Sequence, residues 1–322
     1  MTELSVRRDV AAWMGVVVAS GGLVVVLWVS VSSWDGLLHA NPAYPALLAL
    51  TVVVSALALW LNLRRRARRR GWRIVVRFGV VILGVGWLTL IGWLRPYPAV
   101  QPALAAMHSD AQVLVADTPT QIEMTPQGTH DEVGVFFQPG ALVDARAYAA
   151  VLRPLATEGH PVVIAKQPLG IAFLALNAFD AARNAHPQVA GWVVGGHSLG
   201  GTVAAIQAHN AQHDARSPSI GLLFYASYPA NDLSRSLSVP VESISGTRDG
   251  LATPQKIQAS RDDLPPDTRF TILAGVSHAQ FGSYGPQPGD NSATISNDQA
   301  RKLIAAASEH FINGLSEMEQ GR

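Results

Sequence analysis

The chain has 322 residues, of which 48% are hydrophobic and only 15% are charged. So low a charged share, against roughly 25% in soluble domains, together with a mean hydropathy of +0.20, speaks for a membrane-embedded part and against disorder. There is no cysteine, which excludes disulfides, thiolate-bound metal and a cysteine nucleophile.

The net charge of +1 hides two opposite portions. Residues 1–100 hold eleven arginines, no lysine and three acidic residues, a net of +8. Residues 101–322 hold thirteen basic and twenty acidic residues, a net of −7. In the basic portion, residues 11–33, 45–63 and 74–94 are apolar runs, and about 20 such residues cross about 30 Å of hydrocarbon. Residues 1–95 are therefore expected to be a membrane domain of three transmembrane helices, with Arg77 snorkelling from the start of the third. Trp13, Trp34, Trp60, Trp72 and Trp93 fall near the expected interfaces. The link between spans two and three carries Arg64, Arg65, Arg66, Arg68, Arg69, Arg70 and Arg73, and the link between spans one and two carries no lysine or arginine. Basic short loops stay cytoplasmic. The N-terminus and the arginine loop are thus expected inside, and everything after Arg95 outside. Held between two spans, the arginines face anionic membrane lipids rather than nucleic acid.

Residues 96–110 contain three prolines and read as a linker. From 111 to 322 the pattern is that of a catalytic α/β domain. Runs 111–117 and 120–126 alternate as an antiparallel edge pair. Strands are expected at 133–138, 161–165, 191–196, 220–227, 241–245 and 270–275. Helices are expected at 145–159, 171–186, 199–211, 254–263 and 297–315. Apolar strands alternating with helices mean a mostly parallel sheet covered on both faces.

Strand 191–196 runs into Gly196-His197-Ser198-Leu199-Gly200-Gly201 and then a helix. A strand reversing into a helix within about two residues strains the serine backbone and leaves no space for side chains two positions away, which is the logic of Gly-x-Ser-x-Gly. A serine nucleophile needs a base, and the base an orienting carboxylate. Asp249 follows strand 241–245 and His278 follows strand 270–275, so both fall at the serine's edge of the sheet. Asp290 is a reserve carboxylate. His209 and His213 have helical spacing but no third metal ligand, and Lys166 ends a strand at the same edge.

These three motifs in this order resemble the α/β-hydrolase superfamily, most of all its compact dienelactone-hydrolase-like and esterase-like serine hydrolases, over about residues 110–315. The resemblance implies an α/β-hydrolase fold with an eight-stranded sheet, an ester-cleaving serine hydrolase and no cofactor. It also implies two oxyanion-hole N–H donors, one from Leu199 and one from the loop 138–142, where Ala141 is expected and Leu142 is next. This chain has Pro139-Gly140 where many members have His-Gly. Leu142, His197, Gln280, Phe281 and Tyr284 are the substrate-binding candidates, although His197 also reads as a packing or hydrogen-bonding residue. The link between strands 220–227 and 241–245 is too short for a helical lid. The expected protein is a membrane-anchored, extracytoplasmic hydrolase of small-molecule or lipid-like esters. An acyltransferase of envelope lipids or glycans would use the same residues, and a catalytically silent membrane scaffold or sensor would keep the same fold.

Overall fold

The computed structural model describes residues 3–64, 72–128 and 131–320. The chain divides into two compact units, Met1–Leu38 with Pro42–Arg95, and His39–Asn41 with Pro96–Arg322.

Long uncharged runs make the helices of the first region: α1 (Glu3–Ser32), the short α2 (Trp34–His39), α3 (Ala43–Arg64) and α4 (Trp72–Trp93). Two of them are long and apolar enough to cross a membrane, over Trp13–Ser32 and Ala43–Asn62. The third expected span forms a helix, α4, whose described apolar stretch is Phe78–Trp93. Small residues let these helices approach. A Cβ on Gly84 would come within 2.6 Å of Val18, and one on Gly22 would meet the Ser55 hydroxyl. Large apolar side chains such as Val24, Leu27, Val53 and Leu83 stay exposed. Arg65, Arg66, Arg68, Arg69 and Arg70 of the expected cytoplasmic loop lie outside the described residues.

The second unit is built on eight strands: β1 (Val113–Asp117), β2 (Gln121–Pro126), β3 (Val133–Gln138), β4 (Val162–Ala165), β5 (Gly191–His197), β6 (Ser219–Tyr225), β7 (Val241–Gly246) and β8 (Arg269–Leu273). Their order is β1-β2-β4-β3-β5-β6-β7-β8. β2 runs antiparallel to both of its neighbours, and all other pairs are parallel. The helices are α5 (Ala103–Ala106), α6 (Ala149–Thr157), α7 (Ala178–Ala185), α8 (Leu199–Ala211), α9 (Pro254–Ala259) and α10 (Asn297–Gln320). β3 and β5 are buried at every position, as sheet strands covered on both faces must be. One face packs Val135, Phe137 and Val193 against α6 and α10. The other packs Phe136 and Val194 against α7 and α8.

Two expectations differ from the structure. Residues 96–110 are not a free linker. Tyr97 forms a parallel bridge with Val143, donates its N–H to Leu142 O at 2.7 Å, and accepts from Asp144 N at 3.0 Å. The helix expected at 171–186 is broken into a 3-10 turn, Ala172–Ala175, and α7. The break follows from side-chain amides that capture the carbonyls of Ala175 and Leu176, described below.

The chain moves from β3 to β4 on one side, then crosses to β5 on the other side of β3. Ligands of open α/β sheets bind beyond the strand ends at such a reversal. Here the reversal lies between the loop after β3 and the turn after β5.

Candidate active site

Among the described residues, four that are not glycine have positive φ: Leu142, Leu169, Ser198 and Ala226. They follow the C-terminal ends of β3, β4, β5 and β6 in turn, so backbone strain collects at one edge of the sheet. Each such residue costs about 1–3 kcal/mol and persists only where its surroundings over-determine it.

Ser198 has φ 53° and ψ −127°. Its N–H donates to Tyr225 O at 3.0 Å, and its carbonyl accepts from Ser227 Oγ at 2.6 Å. The flanking glycines have steric causes. A Cβ on Gly196 would stand 2.5 Å from the Gly200 carbonyl carbon, and one on Gly200 would land on the carbonyl oxygens of Gln138 and Pro139. A Cβ on Gly201 would come within 2.5 Å of Ser227 Oγ.

Asp249 and His278 are both buried, and Asp249 Oδ2 lies 2.8 Å from His278 Nδ1. Asp249 Oδ1 accepts the N–H groups of Leu251 and Ala252, both at 2.8 Å. That leaves Oδ2 for the imidazole, so Nδ1 carries the proton and Nε2 a lone pair. Nε2 is buried without a hydrogen-bond partner, so the Ser198 hydroxyl is not bonded to it in this structure. Such bonds are often long in unliganded enzymes and tighten on substrate binding. Asp290 serves the neighbouring backbone. Its carboxylate accepts from Gly250 N, His278 N, Ala279 N and Asn291 N. Burial pushes its pKa up, but those four donors outweigh burial and hold it below the ordinary carboxylate range.

The two expected oxyanion donors follow β5 and β3, the strands on either side of the sheet reversal. Leu199 N–H is in the first turn of α8, where no intrahelical acceptor exists. In the loop after β3, Gly140 N–H donates to Tyr148 Oη at 2.9 Å and Leu142 N–H donates to Gly170 O at 2.8 Å. Val143 N–H donates to Gly140 O. Ala141 N–H, between them, has no backbone or side-chain acceptor among the described residues.

His197 is fully buried, 4.5 Å between ring centroids from His278 and stacked on Phe281 at 5.9 Å. Its Nδ1 lies 2.8 Å from Tyr148 Oη. That hydroxyl already accepts Gly140 N–H, so its own proton goes to Nδ1. Burial first, and the neighbouring His278 second, hold the pKa of His197 well below the ordinary histidine value. Phe281 and Tyr284 are buried behind this pair, with Tyr284 Oη donating to Gln287 at 2.9 Å. Gln280 is engaged at both ends, accepting from Ser277 N and donating to Ile295 O and Asn297 Oδ1. Lys166 is buried and ion-paired with Asp117. Among the described residues, no group of three or more His, Cys, Asp or Glu is placed to hold a metal ion.

Sequence reasoning missed five residues. Tyr148 and Ser227 brace the loop and the elbow. Gln138, Gln167 and Gln207 form a buried amide network. Gln167 donates to Gln138 Oε1 at 3.0 Å and to Pro139 O at 2.8 Å. Gln207 donates to Ala175 O at 3.2 Å and to Leu176 O at 2.9 Å. Their partners lie tens of residues away, so no local pattern marks them; only the strand-end position of Gln138 was a signal.

Residues 134–302 match the family described as the Alpha/beta hydrolase family. The fold and this match, which spans just over half of the chain, are those of a hydrolase. The chain belongs to the alpha/beta hydrolase family. No curated protein matches it. Similar solved structures include an alpha-beta serine hydrolase homologue from Coxiella burnetii, 13% identical, covering 62% of this chain and 98% of that one, with TM-score 0.44. A butyrate-bound thermophilic esterase from Thermogutta terrifontis is 13% identical, covering 63% of this chain and 94% of that one, with TM-score 0.45. Est1E from Butyrivibrio proteoclasticus is 12% identical, covering 63% and 98%, with TM-score 0.46.

Proposed function

We propose that this chain is a membrane-anchored serine hydrolase of ester-type bonds, with Ser198 as nucleophile, His278 as general base and Asp249 as its orienting carboxylate. The observation that carries the reading is the buried 2.8 Å Asp249–His278 bond, which leaves a lone pair on Nε2 at the edge where the strained Ser198 turns. His278 takes the Ser198 proton as Oγ attacks the ester carbonyl. The oxyanion that forms accepts from Leu199 N–H and Ala141 N–H, each worth about 2.7–4 kcal/mol of transition-state stabilisation. His278 then protonates the leaving alcohol, and an acyl-enzyme remains. Water repeats the cycle, with His278 as base again, and releases the acid and free serine. Asp249 fixes the imidazole tautomer and stabilises its charged form.

The anchor is read as three spans, with Arg77 at the cytoplasmic end of the third. Exposed apolar side chains along α1, α3 and α4 support this reading, because a soluble protein rarely exposes so much contiguous apolar surface. The arginine-rich link sets the catalytic unit on the extracytoplasmic side.

A membrane-impermeant fluorophosphonate probe applied to sealed cells tests both parts. Wild type is expected to label from outside, and Ser198→Ala is expected not to label. Folded wild type that stays unlabelled even after permeabilisation sinks the hydrolase. Labelling only after permeabilisation sinks the topology.

A further inference from the structure

The segment between β4 and α7 inverts the usual distribution of side chains. Its small residues, Ala172 and Ala175, are buried, while Phe173, Leu174 and Leu176 are 43%, 54% and 42% exposed. Large apolar residues normally go inside and small ones fill the gaps. The exposure does not come from a loose loop. Gly170 O accepts Leu142 N–H at 2.8 Å, and a Cβ on Gly170 would stand 2.9 Å from Leu142 Cα. Gln138 donates to Ala175 O at 3.3 Å, and Gln207 to both Ala175 O and Leu176 O. Buried amides thus fix the segment against the oxyanion loop at one end and against the elbow helix α8 at the other, and the fixed backbone holds three large apolar side chains out in solvent.

We infer that Phe173, Leu174 and Leu176 form an apolar rim that takes the acyl chains of bilayer lipids, so that the ester substrate is a lipid met in the membrane rather than a solute. The inference rests on the serine-hydrolase reading. The occupant follows from where the unit begins. The main stretch of the second unit starts at Pro96, three residues after α4 ends at Trp93. Tyr97 is already pinned to Leu142 and Asp144, next to Ala141. The apolar helix α4, the third span of the proposed anchor, is therefore linked along the chain to Tyr97 by only a few residues, and hydrocarbon is the solvent an exposed apolar rim prefers.

The test uses the full-length protein in phosphatidylcholine vesicles. One substrate is a long-chain umbelliferyl ester dissolved in the bilayer, and the other is umbelliferyl acetate in the water. Wild type is expected to favour the bilayer-borne ester. Combined Phe173→Ser, Leu174→Ser and Leu176→Ser should lower the ratio of the two rates at least tenfold, and Leu174→Lys alone should lower it several-fold should the triple variant fail to fold. A ratio that does not move in a folded variant overturns the inference, as does a wild type that turns over only the acetate. A change from dimer to monomer in the variant, with the ratio intact, makes the rim a protein interface and also overturns it. If wild type hydrolyses neither ester and takes no fluorophosphonate, the serine-hydrolase reading has failed, and this inference with it.

Discussion

The two lips of the candidate site are built in different ways. The serine lip is local in sequence: β5, the Ser198 turn and α8 are one continuous stretch, and its glycines make room for one another, for the Gln138 and Pro139 carbonyls of the opposite lip and for Ser227. The opposite lip, around Ala141, is assembled from a distance. Tyr148, Gly170, Gln167 and Tyr97 each hold one atom of it, from three separate segments. A local turn is specified by a few residues in a row and fails all at once. A lip held by scattered bonds loses position gradually, as each bond is removed.

Gly200→Ala should break the local lip outright. The new Cβ would fall on the carbonyl oxygens of Gln138 and Pro139, and backbone atoms in a close-packed core have nowhere to move. We expect a loss of about 3 kcal/mol or more of unfolding free energy and the loss of fluorophosphonate labelling. Urea unfolding and labelling rate measure the two, and a variant that labels at the wild-type rate would contradict the steric account.

Tyr148→Phe probes the distant lip and should do less. It leaves Gly140 N–H and His197 Nδ1 without partners, each a buried group costing about 1–3 kcal/mol when unsatisfied. The oxyanion loop should shift without collapsing. We expect kcat to fall about 10- to 100-fold with KM little changed, since oxyanion bonds act in the transition state. Steady-state kinetics decide between this and a uniform loss of active protein, which active-site titration would reveal.

The same contrast governs what the sequence made legible. The elbow, Asp249 and His278 are each set by residues next to a strand end, and the strands of a mostly parallel sheet follow from the alternation of elements, though their order does not. Ala141 was readable only through the family resemblance, because its proposed role depends on the N–H groups beside it being occupied by Tyr148 and Gly170. The broken helix at 171–186 was hidden for a related reason: Ile171 to Ala185 is a good helical pattern locally, and Gln138 and Gln207 override it from other elements. Residues 96–110 look like a linker by proline content, yet two backbone bonds at Tyr97 place them in the fold. In the N-terminal region the apolar runs of α1 and α3 were plain from composition alone.

His197 joins the two lips, and its charge state yields the smallest effect. It lies 4.5 Å between ring centroids from His278, the group that becomes positive in the proposed mechanism. A second cation there would cost about 4 kcal/mol even at an effective dielectric constant of 20. Burial and His278 keep His197 neutral by lowering its pKa. The linkage then has a definite sign. Above about pH 6.5 both folded and unfolded chains leave this ring neutral. Below it the unfolded chain binds a proton that the folded chain refuses, so stability falls as pH falls. His197→Gln removes that refusal while its amide still offers Tyr148 an acceptor. The variant should lose less stability than wild type between pH 7 and pH 5 in urea titrations, and its kcat/KM should keep a single acid limb. Equal losses in the two proteins, or a wild-type limb that falls with the second power of proton concentration, would show His197 charging alongside His278 and break the account of a neutral ring held between the lips.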